Sequence, residues 1–163
     1  MREIERITDQ LKRAFEGEAW HGPSVLEIIE GITSEKAAAR PFNGMHSIWE
    51  IVLHIAAWER AVLRRLNGDR AQLPTEEDWP AVTATTDAAW EQTRRALKQG
   101  HDDLRSAIAD LDETRLDQPI IEGLASVYVT LHGILQHDLY HAGQIAILKK
   151  ATPEGASYER TSK

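Results

Sequence analysis

Two histidines, His137 and His141, stand four residues apart in the run Leu135-Gln136-His137-Asp138-Leu139-Tyr140-His141-Ala142-Gly143-Gln144. Residues at that spacing stack on one face of a helix, so two imidazoles can grip a single metal ion without distorting the backbone. The same face continues through Ile134, Ile145 and Leu148. A histidine inside an apolar stripe points into a bundle, where an unpartnered ring costs about a few kcal/mol of desolvation unless it finds a hydrogen bond or a metal. A third histidine, His54, lies in another strongly apolar segment and could complete a site, although by helical angle it falls at the margin of that segment's stripe. Buried, hydrogen-bonded histidines are the plain alternative to metal ligands.

Three neutral imidazoles suit Zn²⁺, Ni²⁺ or Fe²⁺ and leave at least one coordination position for water or substrate, a feature of catalytic rather than structural sites. Ligand type does not choose among these metals. A divalent ion held in this way lowers the pKa of bound water or of a bound thiol and so creates a nucleophile near neutral pH. His137-Asp138-x-x-His141 also has the outline of the zinc-protease helix, with aspartate where that motif has glutamate. The shorter side chain has farther to reach, and no other protease signature accompanies it, so Asp138 reads better as an acid supporting a histidine or lying on the helix surface.

Gln144 projects from nearly the same face as His137 and is, with Asp138, the candidate for a direct role, here by hydrogen bonding a ligand; a polar residue at a bundle rim would look the same. Tyr140 flanks that face and reads as packing. Glu50, one turn before His54, could orient its ring, but a capping role explains it. His21 and His46 read as loop and cap residues near a pocket mouth, whereas His101 and His132 fall off the expected faces and are expected in solvent. Trp20, Trp49, Trp58, Trp79 and Trp90 read as core or interface anchors.

The elements that must position these residues are helices, because apolar residues recur at three and four and alternating runs are scarce. A first helix over about residues 2 to 16 carries Ile4, Ile7, Leu11 and Phe15 on one stripe. Trp20-His21-Gly22-Pro23-Ser24 breaks it, and two short helical stretches follow, around Val25 to Ile29 and from Ser34 to a point before Pro41. Ser47 and Glu50 have capping-box spacing and open a second long helix running to about Asn67-Gly68, with Ile48, Ile51, Ile55, Trp58, Val62 and Leu66 facing inward. About residues 69 to 85, containing Pro74 and Pro80, form a connection roughly long enough to traverse a bundle, so the second and third long helices are expected to run parallel. The third extends from Thr86 to about Leu111 and the fourth from about Ser126 to Lys150. Residues 1–152 are thus one all-α domain, and 153–163 a weakly structured tail.

Composition narrows the function. The 163 residues include no cysteine, which removes disulfides, thiolate metal sites and any protein thiol nucleophile; thiol chemistry here needs an external thiol. A formal charge of −7 and the lack of a basic stripe argue against nucleic-acid binding. No signal-peptide core or membrane-length apolar run is visible, so a cytoplasmic protein without membrane partners is expected.

Taken together, Trp20-His21-Gly22-Pro23-Ser24, His46-Ser47-Ile48-Trp49-Glu50-Ile51-Val52-Leu53-His54 and His137-x-x-Tyr140-His141-x-Gly143-Gln144-Ile145, in that order and separated by long helices, resemble the DinB/YfiT-like family, which is unrelated to the DNA polymerase sharing the DinB name. The resemblance covers nearly the whole chain. It implies a four-helix bundle with up-down-down-up connectivity and a divalent metal held by His54, His137 and His141. Some relatives are thiol S-transferases or isomerases using bacillithiol or mycothiol, which makes a small-molecule substrate and a low-molecular-weight thiol the expected partners. Metal-dependent hydrolysis and a non-enzymatic metal-binding or stress-response role stay open beside it. Bundles with exposed apolar helix faces often pair, so a homodimer is an expectation.

Overall fold

The computed structural model describes residues 2–70 and 72–152, so the expected tail beyond Thr152 lies outside the described residues. The architecture is all-α. Four long helices, α1 (Glu3–Glu16), α4 (Ile48–Leu66), α6 (Asp87–Ala109) and α7 (Val127–Ala151), are joined by three short ones, α2 (Val25–Ile29), α3 (Ser34–Ala38) and α5 (Thr75–Asp78), with a 3₁₀ turn at Glu113–Arg115. Each long helix matches its expected span to within about two residues.

Local chemistry starts these helices where the sequence indicates. Ser47 Oγ accepts the Glu50 backbone N–H at 3.2 Å while the Ser47 N–H donates to Glu50 Oε2 at 2.8 Å, so two of the otherwise orphaned first-turn donors are satisfied. Ser24 and Glu27 repeat the device at α2, and Thr86 and Ser126 cap α6 and α7 by accepting from Ala89 and Val129.

Side-chain contacts fix the connectivity. Near the N-termini of α4 and α6, Trp49 meets Trp90 at 5.0 Å between ring centroids and donates its Nε1–H to Thr93 Oγ1 at 3.0 Å. Further along the same two helices Glu59 meets His101, so α4 and α6 run parallel. Phe15 stacks on His101 while the Glu3 N–H donates to Glu113 Oε1, which makes α1 antiparallel to α6. His54 faces His141 and Val62 packs in one cluster with Val127, so α7 is antiparallel to α4. The bundle is up-down-down-up, as the long 69–85 connection implies.

The apolar interior divides into two clusters. One gathers Phe15, Ile29, Val52, Ile55, Leu97, Ala142 and Ile145; the other gathers Ile4, Leu11, Val62, Leu104, Ile108 and Leu131. No helix among the described residues is long and apolar enough to cross a membrane.

Trp90 ties the start of α6 to the α2–α3 loop, being 2% exposed and donating its Nε1–H to the Ile32 carbonyl at 2.7 Å. Replacing Trp90 with Phe leaves that carbonyl without its donor and should lower the unfolding free energy by about 1–3 kcal/mol, read from urea titrations. No measurable loss would mean the bond does not hold the loop.

Candidate metal centre

Helix α4 supplies His54 and helix α7 supplies His137 and His141. One ring nitrogen from each lies within 4.8 Å of the other two, and the Nε2 atoms of His54 and His137 are 3.0 Å apart. Three Nε2 atoms held tetrahedrally around an ion at about 2.0–2.1 Å would stand roughly 3.3 Å from one another, so the cluster is close to the spacing an ion requires.

Two of the remaining ring nitrogens are anchored in ways that turn Nε2 toward the cluster. His54 Nδ1–H donates to the Asp78 backbone carbonyl at 2.6 Å, and His141 Nδ1–H donates to Gln144 Oε1 at 2.8 Å. His137 Nδ1 faces Asp138 Oδ1 at 3.4 Å, beyond good hydrogen-bond length. A carbonyl can only accept, so the proton of His54 must sit on Nδ1 and its Nε2 presents a lone pair. Burial holds all three imidazoles below the usual histidine range. For His137 burial, followed by the neighbouring His141 and His54, brings the pKa to about 3. For His54 and His141 burial outweighs the opposing hydrogen bonds to Asp78 and Gln144. At neutral pH the cluster therefore offers neutral imidazoles aimed at one another, an arrangement that a shared cation would relieve; these residues fit a divalent metal.

The long connection builds one wall. Trp79 lies flat on His54, 3.8 Å between centroids, and His46 covers its opposite face at 3.6 Å, giving a three-ring stack. Trp58 donates Nε1–H to Asp78 Oδ1 at 2.7 Å, which steadies the turn whose carbonyl holds His54. The His137 side chain keeps 22% of its surface exposed, so the cluster is reachable from solvent.

Directly behind the histidines runs a buried polar seam. Glu59 on α4 and His101 on α6 are both 0% exposed and joined by a 2.5 Å hydrogen bond between Oε1 and Nδ1. Asp138 on α7, buried, adjoins Glu59. Burial pushes both carboxyl groups well above their usual range, the Glu59 carboxyl raising Asp138 further, and pushes His101 down to about 3. Two carboxyls so enclosed cannot both ionise, so at least one proton stays between them.

The structure brings together the three expected histidines and joins Gln144 to them through His141. Several sequence readings are corrected. Asp138 is interior, not on the helix surface, and its carboxyl lies on the Nδ1 side of His137, where it cannot serve a group bound at Nε2. His54 is fully within the buried face of α4 rather than at its margin. His101 is in the core, not in solvent, and His132 is half-buried against Tyr128. Trp20 is exposed, not an intramolecular anchor, and Tyr140 is 67% exposed with its ring edge-on to His141. His21 is exposed, His46 forms the lid of the Trp79 stack, and Glu50 caps α4 while pairing with Arg40. Sequence reasoning missed Glu59, whose position between Ile55 and Val62 on the inward stripe was its signal, and the roles of Asp78 and Trp79, which sit in a loop without periodicity.

An up-down-down-up bundle presenting three histidines at one point from facing helices belongs to the class of helical bundles that build sites between core-facing side chains. Within that class residues 19–145 match the DinB superfamily, and the chain belongs to it. Comparison with curated proteins and with solved structures finds no match.

Replacing His137 or His141 with alanine should abolish stoichiometric divalent metal, measured by elemental analysis of protein purified without chelator. Full occupancy in both variants would show that the ligands lie elsewhere. A second expectation concerns the seam. Since the folded pKa of Glu59 is raised, its contribution to stability is complete below its unfolded value of about 4.3 and is lost as pH rises through the folded value. The stability of Glu59→Gln relative to the native chain should therefore increase between pH 5 and pH 8 in urea titrations, and a flat or falling difference would contradict the assignment.

Proposed function

We propose that this protein is a divalent-metal-dependent enzyme that transfers an exogenous low-molecular-weight thiol to an electrophilic small molecule, with His54, His137 and His141 holding Zn²⁺, Ni²⁺ or Fe²⁺. The observation that carries the reading is the convergence of three imidazoles whose Nδ1 atoms turn away from the cluster, those of His54 and His141 hydrogen-bonded, and whose Nε2 atoms are left to face a common point. Three protein ligands leave room for a further group, and a bound divalent ion supplies positive charge that favours the deprotonated form of whatever binds there.

What favours a thiol over water is the lack of a base. Among the described residues the histidine cluster takes in no carboxylate. Asp138 lies behind His137 with its acid form favoured, and the Asp78 carboxyl accepts from Trp58 and sits against the Nδ1 side of His54 at 3.2 Å, away from the Nε2 side where a ligand would bind. A thiol with a pKa near 8.5 loses its proton far more readily than water at 15.7, so it needs less help from the protein. The sulfur then bonds to the electrophilic carbon, the leaving group departs with the bond electrons, and the thiol proton ends on the leaving group or solvent. The chain has no cysteine that could compete as the nucleophile, and the DinB/YfiT-like resemblance points to bacillithiol or mycothiol as the kind of cosubstrate.

Apo and metal-loaded protein should be compared with bacillithiol, mycothiol or glutathione plus an electrophile, and separately with ester and amide substrates. Thioether formation that requires both metal and thiol is the expected result. Hydrolysis without a thiol requirement would instead make the protein a metal-dependent hydrolase, and inactivity in every arm with metal bound would leave a metal-binding protein without catalysis.

A further inference from the structure

Helix α7 is apolar on both sides. Its inward face buries Val127, Leu131, Ile134, His141, Ile145 and Leu148. Its outward stripe, at alternating spacings of four and three, reads Val129, Gly133, Gln136, Tyr140, Gly143 and Ile147, all exposed. Val129 is 56%, Tyr140 67% and Ile147 60% exposed. Between Val127 and Leu148 the helix has no lysine, arginine or glutamate, and its one aspartate, Asp138, is buried. In a chain with 28% charged residues an uncharged outward face of this length is not what solvent selects.

The two glycines sharpen the point. A Cβ built on Gly133 or Gly143 meets nothing within 4 Å, so the fold of one copy does not require glycine at either position. Glycine inside a helix costs about 1 kcal/mol relative to alanine, a cost recovered where another backbone approaches closely.

The stripe is also symmetric in sequence. About residue 138, Val129 mirrors Ile147, Gly133 mirrors Gly143, and Gln136 mirrors Tyr140. We propose that α7 is the two-fold interface of a homodimer, crossing antiparallel against α7 of a second copy so that Val129 meets Ile147, Gly133 meets Gly143 and Gln136 meets Tyr140. A two-fold interface demands this reciprocity, because whatever residue i contacts must contact i in return. An unrelated partner would impose no such mirror. Charge agrees: the same register brings exposed Lys150 of one copy to the end of the other helix near Ser126, where exposed Glu122 lies. Elsewhere the net charge of −7 disfavours contact between copies, and this strip lacks that repulsion.

The test uses the full chain. Sedimentation at tens of micromolar should give a mass twice that of one chain, and Gly143→Leu should sediment as the monomer while keeping its helical circular dichroism, since leucine is the better helix former. The chain has no native cysteine, so cross-linking can read the register. A mixture of Gly133→Cys and Gly143→Cys proteins should form a disulfide heterodimer under mild oxidation, whereas each alone should cross-link much less, its two copies of the cysteine being roughly 15 Å apart along the helix axis. A monomeric native chain, a dimer indifferent to Gly143→Leu, or cross-linking of either single variant as fast as the mixture would overturn the proposal.

Discussion

The hydrogen bond between Glu59 and His101, neither of which touches solvent, constrains the whole bundle. A carboxyl and an imidazole in an apolar interior are tolerable only in contact, because stripping one of its partner leaves an uncompensated buried polar group worth on the order of several kcal/mol. The seam they form with Asp138 separates the two apolar clusters. Along α4 it falls between Ile55 and Val62, along α6 between Leu97 and Leu104, and along α7 between Ile134 and Ala142. Phe15 brings in the remaining long helix by stacking on His101 at 3.7 Å. All four long helices are thereby held at one height. Sliding any of them by a turn, about 5.4 Å, would set an acid or an imidazole against leucine and isoleucine.

The histidine cluster inherits its geometry from that registration. His54 lies just over one turn before Glu59 on α4, and His137 and His141 bracket Asp138 on α7. Because the two helices run antiparallel, matching Glu59 with Asp138 carries His54 to the level of His137 and His141, where the three ring centroids stand between 4.5 and 4.9 Å apart. The connection through α5 then finishes the work from outside, with the Asp78 carbonyl choosing the tautomer of His54 and Trp79 fixing its plane.

How much of this was legible in the sequence follows from what kind of atom does each job. The helices and the pairing of His137 with His141 are statements about period, and period is written in side-chain type. The parallel course of α4 and α6 followed from the length of the connection alone. His101 was misjudged because polarity was read as exposure, yet Leu97, His101, Leu104 and Ile108 are spaced four, three and four on one stripe. Glu59 was overlooked for the same reason. The Asp78 anchor had no signature at all, since a backbone carbonyl is present at every residue and only the path of the loop decides which one meets an imidazole. Trp20 errs in the opposite sense: a large aromatic in a Gly-Pro loop need not find a pocket in its own chain.

The separation of the seam from the cluster also sets the electrostatics of the site. Carboxylates next to a metal-binding histidine set commonly offset the ion's charge or act as bases. Here Asp138 is withheld by burial that favours its neutral form, whereas Asp78 Oδ1 accepts from Trp58 and stands 3.2 Å from His54 Nδ1, on the side of the ring away from the cluster. Three neutral imidazoles would leave most of a bound cation's charge uncompensated inside the cluster, with the Asp78 carboxylate offsetting part of it through His54. On the thiol-transfer reading proposed above, such a site would discriminate by the acidity of what enters it more than by any base of its own. Trp79, stacked on His54, and Trp58, tilted against His137, lay apolar surface along the cluster, which lowers the local polarity and strengthens any electrostatic interaction made there.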